Sequence, residues 1–176
     1  MKDVLVVVVT SVLFLVCTVP TVAQGIELIP ELKPYGPILG KWTSEMESRE
    51  SPDGDWQKGS ESYEVRSGGF FVEFRGTDEI GGEKTPWIEV VGYDPVMRTL
   101  VSSFYRSDGT MGRVSSEWNG TALTVQFIRL TPEREVQIRH VTWEYSSDFK
   151  SVTGTVEQFN DGKWWAVEKY KESKVE

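Results

Sequence analysis

Imidazole is the side chain best suited to chemistry at neutral pH, and this chain carries one: His140 is the single histidine among 176 residues. It lies in Val136-Gln137-Ile138-Arg139-His140-Val141-Thr142-Trp143, a run rich in strand-forming residues. An imidazole there offers two chemistries, an axial ligand to a haem or an acid-base group acting on a bound molecule. The same position also suits a plain strand histidine, half exposed or hydrogen-bonded. Val136 and Ile138 share the parity of His140, whereas Val141, Trp143 and Tyr145 hold the other. That break in alternation predicts a bulge near Arg139 that re-aims the strand.

Most other reactive constellations are excluded. The single cysteine, Cys17, lies in an apolar leader, so the rest of the chain has no thiolate for a Cys-His pair or a metal, and one histidine cannot build a multi-histidine site. No Gly-rich phosphate loop, His-Glu-x-x-His or nucleophile elbow occurs. Asp78-Glu79 and Glu45/Glu47 read as solvated turns and faces and not as a general acid-base pair. No catalytic residue and no metal ligand is therefore assigned. A formal net charge of −8 repels phosphate backbones and excludes nucleic acid as a partner.

Candidate binding residues come from the period of two in a strand. Trp42, Ser44, Met46 and Ser48 share one face, as do Phe70, Val72 and Phe74 further on, and Leu123, Val125, Phe127 and Arg129 later still. If these faces line a cavity, the aromatic residues hold a small apolar or amphiphilic molecule, Ser44 supplies a polar contact, and Arg129 meets an anionic head group. If the core is filled, the same residues only pack, and Arg129 is a solvated rim arginine.

From Leu39 onward, stretches of alternating, β-branched and aromatic residues are cut about every ten residues by turn clusters. In order these are centred on Asp53-Gly54, Gly68-Gly69, Gly81-Gly82, Asp94-Pro95, Asp108-Gly109, Asn119-Gly120, Pro132-Glu133, Ser147-Asp148 and Asp161-Gly162: nine turns, hence ten strands. Asn119-Gly120 has the composition of a type I′ hairpin turn, and Pro95 presets a type I turn opened by Asp94. No connection is long enough for the crossover that parallel strands need, so the strands meander antiparallel, and closure into a barrel removes both edges. A barrel of ten strands is wider than the eight-stranded size that side chains just fill, which favours an internal cavity.

The start of the chain differs. Lys2 precedes an apolar run through Val16, continuing from Thr18 past the helix-breaking Pro20 to the small residues Thr21 and Ala23, the pattern of a signal peptide over residues 1–23. It implies a secreted or periplasmic protein with no membrane span after cleavage; the alternative is an uncleaved anchor, because the run approaches the ~20 residues that span a bilayer. Residues 24–38 hold Pro30, Pro34 and Pro37, which allow a helical turn or two around Glu31 to Tyr35 across one barrel end. Residues 39–171 form the barrel and 172–176 a tail. Trp164-Trp165 sends one indole inward and the other outward, and the outer one suits cover by the N-terminal segment.

Leu39-Gly40-Lys41-Trp42-Thr43 carries the Gly-x-Trp of the first strand of lipocalins and other calycins. With Ser67-Gly68-Gly69-Phe70-Phe71-Val72-Glu73, Val91-Gly92-Tyr93-Asp94-Pro95, Ser107-Asp108-Gly109-Thr110 and Asn160-Asp161-Gly162-Lys163-Trp164, the chain resembles an uncharacterised lipocalin-like family of bacterial proteins described as a domain of unknown function. The resemblance runs from about Ile38 to Tyr170 and implies a ten-stranded calycin barrel without implying an activity. It further implies a basic side chain against Trp42, a part that Lys169 or Lys171 would take. The functional reading at this level is an exported barrel that binds a small apolar or amphiphilic molecule in its interior. Its alternatives are an interaction or structural module with a filled core, and a haem-binding or weakly enzymatic barrel built on His140.

Overall fold

The structure is a computed structural model and describes residues 26–175. The signal-peptide reading falls on 1–23, outside the described residues. A nine-residue 3-10 helix, Pro30–Ile38, leads into ten strands: β1 Gly40–Ser48, β2 Gln57–Ser67, β3 Phe71–Ile80, β4 Glu83–Asp94, β5 Thr99–Arg106, β6 Met111–Asn119, β7 Ala122–Leu130, β8 Val136–Tyr145, β9 Ser151–Asn160 and β10 Lys163–Lys174. Each strand pairs antiparallel with the next, and β1 pairs with β10, so the sheet is a closed up-and-down barrel.

The turns explain the order. Gly81-Gly82 and Asp161-Gly162 both hold positive φ at two central residues, the type I′ pattern whose twist matches the flanking strands. At Asn119-Gly120 the structure departs from the expected I′ turn. Asn119 stays in β6, paired with Ala122, and the loop is Gly120-Thr121 with positive φ at Gly120 (61°) alone, as in a type II′ turn. Asp94 opens its turn by accepting hydrogen bonds from the Val96 and Met97 amides at 2.8 and 3.0 Å.

The helix closes one end. Pro30 occupies its first turn, where its missing N–H costs nothing, and Pro34 and Pro37 oppose a regular α-helix. At three residues per turn, Leu32, Tyr35 and Ile38 fall on one face, and all three are buried. They plug the barrel against Trp42, Val65 and Val72; each aliphatic plug contributes about 1.5–3 kcal/mol by leaving water. The Trp42 indole donates to the Ile38 carbonyl at 2.9 Å and stacks on Tyr63. Neither Lys169 nor Lys171 takes the place expected against Trp42; the lysine of β10 that pairs with Trp42 is Lys174. Lys169 lies over Trp56 at the far end, Lys171 is exposed, and Lys174 instead donates to the Pro37 carbonyl at 2.9 Å.

Three further placements differ from the sequence reading. The described part of the N-terminal segment, 26–38, covers the barrel end at Trp42 and not Trp164, which lies on the outer wall against His140 and Phe159. β10 continues to Lys174, so Glu172 is a buried strand residue and not part of a tail. β8 pairs with β7 in unbroken register; the bulge falls instead in β10, between Ala166 and Glu168.

Candidate functional site

Inward parity on the ten strands encloses a cavity of about 210 Å³. Toward the helix its wall is apolar and aromatic, with Tyr35, Phe74, Val91, Leu123 and Tyr145. Phe104, Val125, Phe127 and Val141 continue that wall. The lining also holds eight charged residues, which come from strands far apart in sequence.

Arg139 is the best-held of these. It donates to Gln158 at 2.9 Å, Gln137 at 2.9 Å and Glu168 at 2.7 Å, and Glu168 also accepts from Tyr170 at 3.0 Å. Burial pushes the Glu168 carboxyl up, but Arg139 and Arg129 outweigh it and hold the group below its ordinary range. Arg129 lies 3.8 Å from Glu168, and its Nε is buried without a partner. Burial, reinforced by the neighbouring Arg139, lowers its pKa. Arg106 is ion-paired with buried Asp78 and, at 3.1 Å, with Asp108.

Among the described residues, a second set of carboxyls has no guanidinium partner. Glu172 accepts a hydrogen bond from Tyr63, and burial pushes it up to about 7. Glu61 lies directly across from Asp78 on β3 and from Ser44 on β1, and Ser44 in turn pairs with Glu172. Burial, then the charges of Glu172 and Asp78, push Glu61 well above the ordinary carboxylate range. Glu89 accepts from Ser102 and is also raised by burial. The Tyr35 hydroxyl, bonded with Ser116 at 3.1 Å, is pushed up to about 12 by burial.

The raised Glu172 predicts a pH dependence with a definite sign. Between its ordinary 4.5 and about 7, the folded protein holds a proton that the unfolded chain releases. Stability from this group is therefore full below about 4.5 and is lost as pH rises to about 7. Urea midpoints across that window should fall for the parent, and the fall should shrink in Glu172→Gln.

Phe74, Phe127 and Arg129 line the cavity. Trp42, Ser44 and Met46 face inward and are buried in the wall without lining it. Phe70 is 78% exposed, because β3 begins at Phe71 and Phe70 sits in a tight turn beside Gly69, whose φ is 80°. His140 points out of the barrel, 2.9 Å from Glu157 and edge-on to Trp164 at 4.2 Å. β8 keeps one parity throughout, with Gln137, Arg139, Val141, Trp143 and Tyr145 on the inner side. Gln137 and Arg139 face in because Gln158 and Glu168 meet them there, which leaves Val136 and Ile138 outside. The interior thus offers no imidazole, so its residues do not fit a histidine-ligated haem. Among the described residues no group of three or more acidic, histidine or cysteine side chains is arranged to hold a metal ion.

Sequence reasoning missed Glu61, Asp78, Glu89, Arg106, Arg139, Glu168 and Glu172. A signal existed: Glu61 shares parity with Tyr63 and Val65, Glu89 with Trp87 and Val91, and Glu172 with Tyr170.

Comparison with known proteins follows this architecture. The family described as "Protein of unknown function (DUF1579)" matches residues 36–171. No curated protein matches the chain. Among solved structures, Rv2717c from M. tuberculosis is similar at a TM-score of 0.62 with 12% identity, over 85% of this chain and 100% of that one. At that identity the likeness is one of fold.

Proposed function

The chain belongs to the DUF1579 family of proteins of unknown function, and from that premise we propose that its barrel holds a small amphiphilic molecule in the interior. The observation that carries this reading is the cavity of about 210 Å³, walled mostly by aromatic and aliphatic side chains with eight charged groups set among them. Such a lining is what binding sites in barrels share: apolar area for affinity, polar groups for orientation. A filled-core module would have its inward side chains in mutual contact. Here Phe74, Phe104, Val125 and Phe127 keep part of their surface open onto the cavity.

We read the barrel as calycin-like. Gly40-Lys41-Trp42 at the start of β1, the up-and-down order and the helical segment closing the adjacent end support that reading. Export is the setting that the leader implies. N-terminal sequencing of protein recovered outside the cytoplasm should give Gln24, and recovery of intact Met1 in membranes would refute cleavage.

Titration with the neutral fluorophore N-phenyl-1-naphthylamine tests the binding reading. One saturable site with a Kd on the order of micromolar is expected, about −8 kcal/mol. Val125→Trp and Phe127→Trp fill the cavity from neighbouring positions and should each weaken binding by about tenfold or more, provided that a thermal melt shows them folded. His140→Ala, on the outer wall, should leave the Kd unchanged. Absence of saturable binding, or binding that both filling variants leave intact, overturns the proposal.

A further inference from the structure

The charges around the cavity do not balance, and the imbalance has a sign. Five carboxyls line it, Glu61, Asp78, Glu89, Glu168 and Glu172, against the three guanidinium groups of Arg106, Arg129 and Arg139. Arg106 is matched by Asp78 and Asp108 and Arg139 by Glu168, while Arg129 shares that same Glu168 at 3.8 Å and keeps a buried Nε without a partner. Among the described residues no ion pair reaches Glu61, Glu89 or Glu172. Glu89 accepts from Ser102, Glu172 accepts from Tyr63 and Glu61 is hydrogen-bonded with Asp78, and Glu61 and Glu172 flank Ser44 in the wall. The same stretch of cavity carries Tyr63, Phe74, Trp87 and Tyr145, with ring centroids of Tyr63 and Trp87 5.9 Å apart and those of Tyr63 and Phe74 6.4 Å apart.

We propose that the molecule held in the barrel is an organic amine, its ammonium group placed between the Glu61 and Glu172 carboxyls and beside the rings of Tyr63 and Trp87. This rests on the reading of the cavity as a small-molecule site and specifies its ligand class. Aromatic rings next to unpaired carboxyls attract a cation twice, through the ring quadrupole and through charge, and both attractions strengthen away from water. An anion beside Glu61 and Glu172 would meet carboxyls that repel it, and the one incompletely partnered guanidinium, Arg129, lies instead beside Glu168. A carboxyl buried without a cation is costly in its charged form, so without one Glu61 and Glu172 both favour the protonated form, in line with the raised values of both. The proton balance follows. An amine entering as its free base takes the carboxyl proton, with one O–H broken, one N–H formed and none lost to solvent. An amine entering as ammonium displaces that proton to the buffer.

The groups that bear on this site from every packed strand are few. Ser44 faces it from β1, Tyr63 from β2, and Asp78, held by Arg106, from β3. Tyr145 comes from β8, and β10 brings Glu168, held by Arg139 and Arg129, and Tyr170, which donates to Glu168. None of these supplies a free cation to Glu61 or Glu172.

Three probes of nearly equal shape test the inference by calorimetry on the folded protein: 1-naphthylmethylamine, 1-naphthylmethanol and 1-naphthoic acid. At pH 7.5 the amine should bind about tenfold or more tighter than the alcohol, and the acid most weakly. At pH 6, repeating the amine titration in buffers of different ionisation enthalpy should show proton release that the alcohol does not. In Glu61→Gln/Glu172→Gln the amine should fall to within about threefold of the alcohol, while the alcohol keeps its parent affinity. Glutamine mimics the protonated acid, so the variant should melt no lower than the parent; if it does not fold, the two single variants carry the same comparison. An amine no tighter than the alcohol, or a preference that survives the substitutions, overturns the amine assignment and leaves the interior site standing. Failure of all three probes to bind overturns the interior site itself.

Discussion

Trp42→Ala should cost about 3–5 kcal/mol, most of the stability of a domain this size. The indole is 1% exposed and sits where the helix, β1 and β2 meet. It stacks on Tyr63 at 6.2 Å, meets the edge of Tyr145 at 6.0 Å and borders the plug of Leu32, Tyr35 and Ile38. Its removal leaves a cavity that a closed barrel cannot collapse to fill, because each strand is hydrogen-bonded on both sides. It also strands the Ile38 carbonyl, which accepts from the indole. Trp42→Phe keeps most of the packing and loses that bond, so it should cost a smaller amount, about 1–3 kcal/mol. Urea denaturation of the parent and the two variants reads both values. A Trp42→Ala protein as stable as the parent would mean that the helix end is not the anchor described above.

Arg139→Ala should be comparably severe, about 3–5 kcal/mol, for an electrostatic reason. Three donors of Arg139 serve Gln158, Gln137 and Glu168, and the residue is 7% exposed. Without it Glu168 is left buried with Arg129, 3.8 Å away, as its nearest cation. Two signatures separate this from lost packing. In the parent, Glu168 is held below its ordinary range, so its contribution is present above the unfolded pKa of about 4.5 and fades as pH falls through the folded one. In the variant an under-paired Glu168 favours its proton, so the deficit against the parent should narrow in acid. Adding Glu168→Gln should then recover much of the loss at neutral pH. Equal deficits at pH 7 and pH 4, with no recovery in the double variant, would show that the pair acts only as filler.

Much of the architecture was legible in the chain, because local chemistry determines it. Nine turn clusters delimit ten strands, since glycine, proline, aspartate and asparagine set backbone angles wherever they stand. Short connections then permit only an antiparallel meander, which closes to satisfy its edges. The inward face of β7 and the burial of Trp42 likewise follow from alternation within a strand. Phe70 shows the limit of alternation even here: one residue before β3 begins, it obeys the turn and not the pleat.

What the tertiary structure alone decided is which side of β8 is the interior, and therefore what the interior is made of. The apolar residues Val136 and Ile138 make the His140 parity look like the inner one, yet they face out, and Gln137 and Arg139 face in. A guanidinium can be buried only where acceptors meet it, and those of Arg139 arrive from β9 and β10, 19 and 29 residues away in sequence. The same holds for Asp78, which reads as a solvated turn residue until Arg106 reaches it from 28 residues on. Periodicity within one strand cannot report a partner on another, so the charged lining of the cavity emerged only once the barrel brought those strands together.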